Sequence, residues 1–106
     1  MTIIIDECLP KRLTQFFAHE TAWTVPQIGL SGAKDGELLD TLDRKKIDVF
    51  ITIDGNIEYQ QQFANRTFGT VIIRSVSNRF ADLVALESML VETARTITAG
   101  QIVHIP

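Results

Sequence analysis

The chain opens with Thr2-Ile3-Ile4-Ile5-Asp6-Glu7-Cys8-Leu9-Pro10, an apolar run that ends abruptly in two carboxylates. A short run of β-branched residues is typical of a strand buried on both faces of a parallel sheet. Open parallel sheets bind their ligands at the carboxyl ends of the strands. Asp6 therefore occupies a position where a functional acid is expected.

Two more apolar runs predict buried strands, Asp48–Ile53 and Thr70–Ile73. The first of them also ends in an acid, Asp54. Two weaker runs, Trp23–Val25 and Ile102–Ile105, predict further strands, and we expect the last one at a sheet edge.

Apolar residues at helical spacing lie between these strands. They predict helices over Lys11–Glu20, Asp35–Lys46, Ile57–Ala64 and Arg79–Ile97. Asn78 is the expected N-cap of the last and longest helix. Its predicted buried face consists of Phe80, Leu83, Val84, Leu86, Met89, Leu90 and Val91. Alternating strands and helices indicate an α/β sandwich with a mostly parallel sheet.

Length and composition restrict the class of protein. A chain of 106 residues predicts one domain spanning residues 1–106. No apolar run approaches the roughly 20 residues that span a bilayer, and no signal-peptide pattern opens the chain, so we expect a cytoplasmic protein without membrane contact. The single cysteine, Cys8, excludes an internal disulfide and is interpreted as a small buried residue. A net charge of −3 argues against a basic nucleic-acid-coating surface but allows a nuclease, because metal-dependent active sites are acidic.

Three acids are predicted to share one edge of the sheet. If the strands that end at Asp6 and Asp54 are parallel neighbours, both carboxylates face the same cleft. Asp35 opens the helix between them, and that end of the helix also lies at the carboxyl edge. Three carboxylates suit a hard cation such as Mg²⁺ or Mn²⁺, which prefers oxygen ligands. Such an ion lowers the pKa of a bound water and stabilises charge on a phosphodiester under attack.

Each acid also has a purely structural interpretation. Asp6 could simply begin the first helix. Asp35 could be an N-cap and nothing more, because aspartate is a preferred capping residue. Asp54 precedes Gly55 and could be an ordinary turn residue.

Five other residues are secondary candidates. Glu7 and Glu37 are either additional metal ligands or surface acids. Asn56 either coordinates the ion through its amide oxygen or shapes a turn. Lys34 and Arg12 either hold a substrate phosphate or are solvated surface cations.

Taken in order, these motifs resemble the short PIN-like proteins, relatives of VapC-type toxin ribonucleases. The resemblance rests on Ile5–Pro10, Gly29–Leu39, Ile51–Asn56 and the late strand Val71–Arg74, and it covers nearly the whole chain. It implies a PIN-like three-layer α/β/α sandwich and Mg²⁺- or Mn²⁺-dependent cleavage of RNA. It also implies the toxin role in a bacterial type II toxin–antitoxin system, with a cognate antitoxin encoded nearby and a homodimer.

The resemblance assigns roles residue by residue. Asp6 matches the acid that ends the first PIN strand, and Asp35 matches the acid that begins the helix before the Thr-x-Asp strand. Asp54 matches the first acid of the Thr-x-Asp-x-Asp pattern, whereas Asn56 stands where the family usually has the second Asp. Ordinary PIN domains carry one more acid on intervening helices, for which this chain offers only Glu7 or Glu37.

Two other functions compete with a nuclease. The Asn56 departure and the missing acid favour a PIN-like module that binds proteins without catalysis. A phosphoacceptor receiver domain would also carry acids after its first strand, as in Asp6-Glu7, and at the end of a central strand, as at Asp54. Receivers also need a lysine at the end of the last strand, and Ile102-Val103-His104-Ile105 has none.

Overall fold

Five parallel strands form the centre of the structure, a computed structural model that describes residues 1–106. They are β1 (Thr2–Ile5), β2 (Thr21–Thr24), β3 (Val49–Thr52), β4 (Gly69–Ile73) and β5 (Ile102–Ile105). Their order across the sheet is β2-β1-β3-β4-β5, and every neighbouring pair is parallel. The predicted α/β architecture is confirmed, and β5 lies at a sheet edge as expected.

Short helices connect the strands. The α-helices are α1 (Asp35–Arg44), α2 (Ile57–Gln60), α3 (Phe80–Leu83) and α4 (Glu87–Thr96). Three further segments, Lys11–Phe17, Pro26–Ile28 and Val84–Leu86, are 3-10 helices. None of the helices is both long and apolar enough to cross a membrane.

Alternation along the strands gives the sheet two buried faces. Ile3 and Ile5 pack in one core with Leu90 and Ala94 of α4, and we call this side the α4 face. Ile4 packs in the other core with Leu39 of α1, and we call this side the α1 face. Helices therefore cover both faces, in three layers, which explains why the central strands read as continuous apolar runs.

The first two connections differ from the predicted bounds. The segment after Pro10 is a 3-10 helix over Lys11–Phe17 and not an α-helix to Glu20. Strand β2 spans Thr21–Thr24, so Val25 lies beyond it. The connection joins two adjacent strands, β1 and β2, and its seven residues make it longer than most 3-10 connectors.

The predicted long helix over Arg79–Ile97 is wrong, because it is divided into α3, a 3-10 turn and α4. The break lets Leu90 reach the core, but it leaves Val84 46% and Met89 44% exposed, contrary to their predicted burial. The expected N-cap role of Asn78 is also wrong. Arg79 precedes α3 without a side-chain cap, while the Asn78 amide donates a hydrogen bond to the Cys8 carbonyl at 3.0 Å. The tertiary contact with the loop after β1 thus replaces the local cap.

The last crossover brings a distant segment to the carboxyl edge of the sheet. Connections β1–β2 and β4–β5 both pass over the α4 face but move in opposite directions across the sheet. They therefore have opposite handedness, and one departs from the right-handed rule for parallel strands. To reach the α4 face, residues 74–79 cross the carboxyl edge, where Asn78 contacts the Cys8 carbonyl.

Candidate functional site

Asp6 and Asp54 leave neighbouring strands at the same edge and on the same face. Strands β1 and β3 are paired in parallel, as the sequence predicted. The Asp6 N–H donates to the Ile51 carbonyl at 2.9 Å, which extends the ladder to the acid itself. Because side chains alternate along a strand, Asp6 follows Ile4 onto the α1 face. By the same alternation, Thr52 and Asp54 follow the buried strand β3 onto that face.

The Thr52 hydroxyl connects the two acids. It is fully buried, donates to Asp6 Oδ2 at 2.7 Å and accepts from the Asp54 N–H at 3.1 Å. One side chain thereby fixes the orientation of one carboxylate and the backbone of the other. Thr52 was not among the site residues predicted from the sequence. The available signal was a hydroxyl inside an otherwise apolar strand, two residues before an acid.

Asp35 lies at the start of α1 and shares the electrostatic field of the other two acids. Lys34 is the N-cap position, and no side chain caps the helix, so Asp35 is the first helical residue rather than a cap. Burial raises the pKa of Asp35, and the negative charges of Asp54 and Asp6 raise it further. Such mutual repulsion is relieved when a cation binds between carboxylates.

Asp54 also shapes a turn, and Asp6 also makes a local bond. Asp54 Oδ1 accepts the Asn56 N–H at 3.0 Å, which is the Asx-type turn that its position before Gly55 suggested. Asp54 Oδ2 accepts no hydrogen bond from the protein. Asp6 Oδ1 accepts the Glu7 N–H at 2.8 Å, so each Asp6 oxygen accepts one hydrogen bond and retains a lone pair. The structural roles thus leave oxygen ligands available at both acids.

The two secondary acidic candidates differ in their contacts, because Glu7 is hydrogen-bonded to the protein and Glu37 is not. Glu7 accepts hydrogen bonds from the Ser31 hydroxyl at 3.1 Å and from the Gly32 N–H at 3.1 Å. Its carboxylate therefore holds the loop before α1 against the loop after β1. Glu37 is exposed on α1, and its carboxylate takes part in no hydrogen bond or ion pair with the protein.

The secondary basic candidates lie at the surface. The guanidinium of Arg12 sits over the Phe80 ring, 4.2 Å from its centroid, in a cation–π contact. Lys34 is exposed immediately before α1 and next to Asp35. Their role in holding phosphate stays a prediction.

Cys8 is half-buried beside the acids. Burial is the main cause of its raised pKa, and the neighbouring Asp6 charge adds to it. Its Sγ lies 3.8 Å from the Thr52 hydroxyl oxygen. A thiol with a raised pKa is protonated at neutral pH and is a poor nucleophile. The interpretation of Cys8 as a packing residue fits this environment.

The donor chemistry fits a hard divalent cation held by two carboxylates. No group of three or more Asp, Glu, His or Cys side chains is arranged to hold a metal ion. Mg²⁺, however, commonly binds through one or two carboxylates and keeps several waters. Asp6 and Asp54 end adjacent strands and carry oxygens of the kind that such an ion binds, and Thr52 orients the Asp6 carboxylate. A three-acid site that includes Asp35 stays a prediction.

A groove beside Asp54 contains residues that the sequence did not single out. It has a volume of about 360 Å³ and lies where β3, β4 and β5 end. Its lining includes Asn56, Glu58, Tyr59, Arg74, Ser75 and His104. Of these residues, only Asn56 was predicted from the sequence as a possible site residue. The others come from three separate segments that meet only in the folded chain.

Comparisons with protein-family models, with curated proteins and with solved structures find no match for this chain. Its relation to the PIN-like proteins therefore stays a prediction from the sequence motifs.

Proposed function

We propose that this chain is a metal-dependent endoribonuclease with a PIN-like fold, acting as the toxin of a bacterial type II toxin–antitoxin system. One observation carries the nuclease part of the proposal. Asp6 and Asp54 end adjacent parallel strands on one face, and the buried Thr52 hydroxyl contacts both of them. A structural role for each acid separately does not require that shared, buried connection.

The electrostatics support a site for a cation. Burial is the main cause of the raised pKa of Asp35, and the negative charges of Asp54 and Asp6 raise it further, so the three acids interact. Within a domain of net charge −3, such a cluster repels a phosphate placed directly beside the acids, and a positive counter-charge there would offset that repulsion. A bound Mg²⁺ or Mn²⁺ would supply that charge and lower the pKa of a water at the phosphodiester.

The chain's own residues have distinct roles in this proposal. Asp6 and Asp54 would hold the ion through oxygens that the protein leaves with free lone pairs. Thr52 keeps Asp6 in one orientation through the hydrogen bond of 2.7 Å. Asp35 contributes negative charge from the start of α1 and is the expected third acid. Asn56 donates its backbone N–H to Asp54 and so holds that carboxylate in place.

The proposed partners follow from the toxin role. They are an RNA substrate, a cognate antitoxin and a second copy of the chain in a homodimer. A PIN-like binding module without catalysis is the second candidate, because Asn56 replaces an acid of the family pattern. A receiver domain is disfavoured, since His104 near the end of β5 contacts Glu58 and no lysine stands there.

The direct test is cleavage of a mixed set of structured RNAs by purified protein in Mg²⁺, Mn²⁺ or EDTA. The variants Asp6→Asn and Asp54→Asn each remove the negative charge of one proposed ligand without changing side-chain size. Glu92→Gln is the matched control, because its exposed carboxylate on α4 makes no contact with the candidate site.

We expect metal-dependent cleavage by the parent protein and by Glu92→Gln. Loss of a required metal ligand should reduce the rate by at least about 100-fold in both aspartate variants. Intact RNA under every condition, with Mn²⁺ binding also absent in calorimetry, would favour the binding module instead.

A further inference from the structure

The carboxyl edge of the sheet carries a row of side chains on the α1 face that extends beyond the acids. Strand register places Thr52 level with Ile72, and Ile72 level with His104. Asp54 and Arg74 each come two residues after this pair, just beyond the ends of β3 and β4. Ile72 packs in the core of the α1 face, so alternation projects Arg74 toward that same side. Arg74 thus follows the strand that neighbours the one Asp54 follows, and adjacent strands lie about 4.8 Å apart.

Arg74 is held in place by its backbone and free at its side chain. Its N–H donates to the Ile105 carbonyl at 2.8 Å, which anchors the residue to β5. The side chain is exposed and forms no ion pair or hydrogen bond with the protein. The nearest acid in the groove, Glu58, is engaged instead by His104, whose Nε2 lies 2.5 Å from the carboxylate. Arg74 is thus available for an external anion.

An aromatic ring faces the same groove. Tyr59 lies on α2 and is 79% exposed, far more than Trp23, the other aromatic side chain at the surface, which is 47% exposed. Exposed aromatic rings beside a cation are the usual platform on which unpaired bases of single-stranded nucleic acid stack. The Asn56 amide and the Ser75 hydroxyl add hydrogen-bonding groups to the lining.

We propose that this groove binds one nucleotide of single-stranded RNA next to the phosphate that is cleaved. Arg74 holds the nucleotide's phosphate, and Tyr59 stacks on its base. The inference rests on the proposed nuclease function, because it takes Asp54 as the neighbouring catalytic position. A volume of about 360 Å³ is at the lower end of small-molecule sites and fits a single nucleotide. The arrangement also explains how an acidic domain can retain a polyanion beside its carboxylates.

The test is fluorescence anisotropy with a labelled short polyuridylate, measured in EDTA so that binding is read without metal or cleavage. Tyr59→Ala should weaken binding by roughly 5- to 150-fold, the effect of losing one base–aromatic stack. Tyr59→Phe retains the ring and should bind like the parent. Arg74→Ala should weaken binding and reduce the slope of log K against log salt by about 0.7, the loss of one single-strand phosphate contact.

Two variants serve as matched controls. Trp23→Ala removes an exposed aromatic ring from the opposite edge strand, β2. Arg44→Ala removes an exposed guanidinium from the far end of α1. Both should leave polyuridylate affinity and its salt dependence unchanged.

The inference and the proposed function fail in different ways. If the parent protein cleaves RNA while Tyr59→Ala and Arg74→Ala bind and cleave at parent levels, the nucleotide site is refuted and the nuclease stands. If polyuridylate binds through Tyr59 and Arg74 but no RNA is cleaved in Mg²⁺ or Mn²⁺, the nuclease is refuted together with the groove's place beside a cleaved phosphate, whereas nucleotide binding by the groove stands. Absence of polyuridylate binding by the folded parent protein overturns the nucleotide site directly.

Discussion

Replacing Thr52 with valine tests whether the buried hydroxyl organises the candidate site. Valine keeps the size and branching of threonine but removes the hydroxyl, so packing in β3 is preserved. The change deletes the bond to Asp6 Oδ2 at 2.7 Å and the bond from the Asp54 N–H at 3.1 Å. Thr70→Val is the control, because Thr70 is equally buried on the adjacent strand, yet its hydroxyl has no hydrogen-bond partner.

The expected magnitude follows from the two bonds. A hydrogen bond to a charged acceptor contributes about 1.5–3 kcal/mol, and one to a neutral donor contributes about 1 kcal/mol. Since Asp6 is only half-buried and water can replace the lost donor, we take about 3 kcal/mol for the Thr52 variant. With an m value of about 1.5 kcal/mol/M in urea, this lowers the unfolding midpoint by about 2 M. Removing the unpartnered Thr70 hydroxyl should leave stability unchanged or raise it by about 1 kcal/mol.

Urea unfolding followed by far-ultraviolet circular dichroism at neutral pH measures both variants. Mn²⁺ affinity gives a second reading, which should fall in Thr52→Val and stay unchanged in Thr70→Val, because only Thr52 orients a proposed ligand. Equal unfolding midpoints and equal Mn²⁺ affinities in the two variants would show that the Thr52 hydroxyl does not organise the site.

Two predictions concern the pH dependence of stability. Burial and the charge of Asp54 raise the pKa of Asp35, so its charged form opposes folding. Asp35→Asn should therefore stabilise the protein in EDTA at neutral pH, and the gain should vanish below about pH 4, where the carboxyl is protonated in folded and unfolded chains. A variant that melts below the parent at neutral pH would contradict this. Burial alone would raise the pKa of Asp43, but the Thr67 N–H and the Arg66 guanidinium outweigh it and lower that pKa. Asp43→Asn should thus destabilise the protein by about 1–2 kcal/mol at neutral pH. That loss should shrink as the pH falls below about 4 and through the lowered pKa, which thermal melts across pH would reveal.

The strands and the edge that carries the acids could be predicted from the sequence. Uninterrupted β-branched runs indicate burial on both faces, and this pattern identified β1, β3 and β4. The same reasoning placed Asp6 and Asp54 at the carboxyl edge, because a parallel sheet brings the ends of its strands together. These conclusions depend only on local residue type and on the alternation of side chains along a strand.

The prediction of a single long helix over Arg79–Ile97 was wrong because local spacing does not encode tertiary packing. Helical spacing of Phe80, Leu83 and Leu90 predicts an apolar stripe, but it does not show where the stripe must bend to follow the sheet. The structure breaks the helix at Val84–Leu86 so that α4 packs on the α4 face. Asn78 likewise has the side chain of a good cap, yet its contact with the Cys8 carbonyl, 70 residues away, replaces the cap.

The strand cores and the acids that follow two of them can be read from local sequence, because burial and alternation are encoded within a few consecutive residues. The link between those acids through Thr52, and the groove shared by Arg74, Tyr59 and His104, are visible only in the folded chain. These contacts depend on strand order, register and the path of the last crossover. Such long-range features arise when separate segments pack together, and no local pattern specifies them.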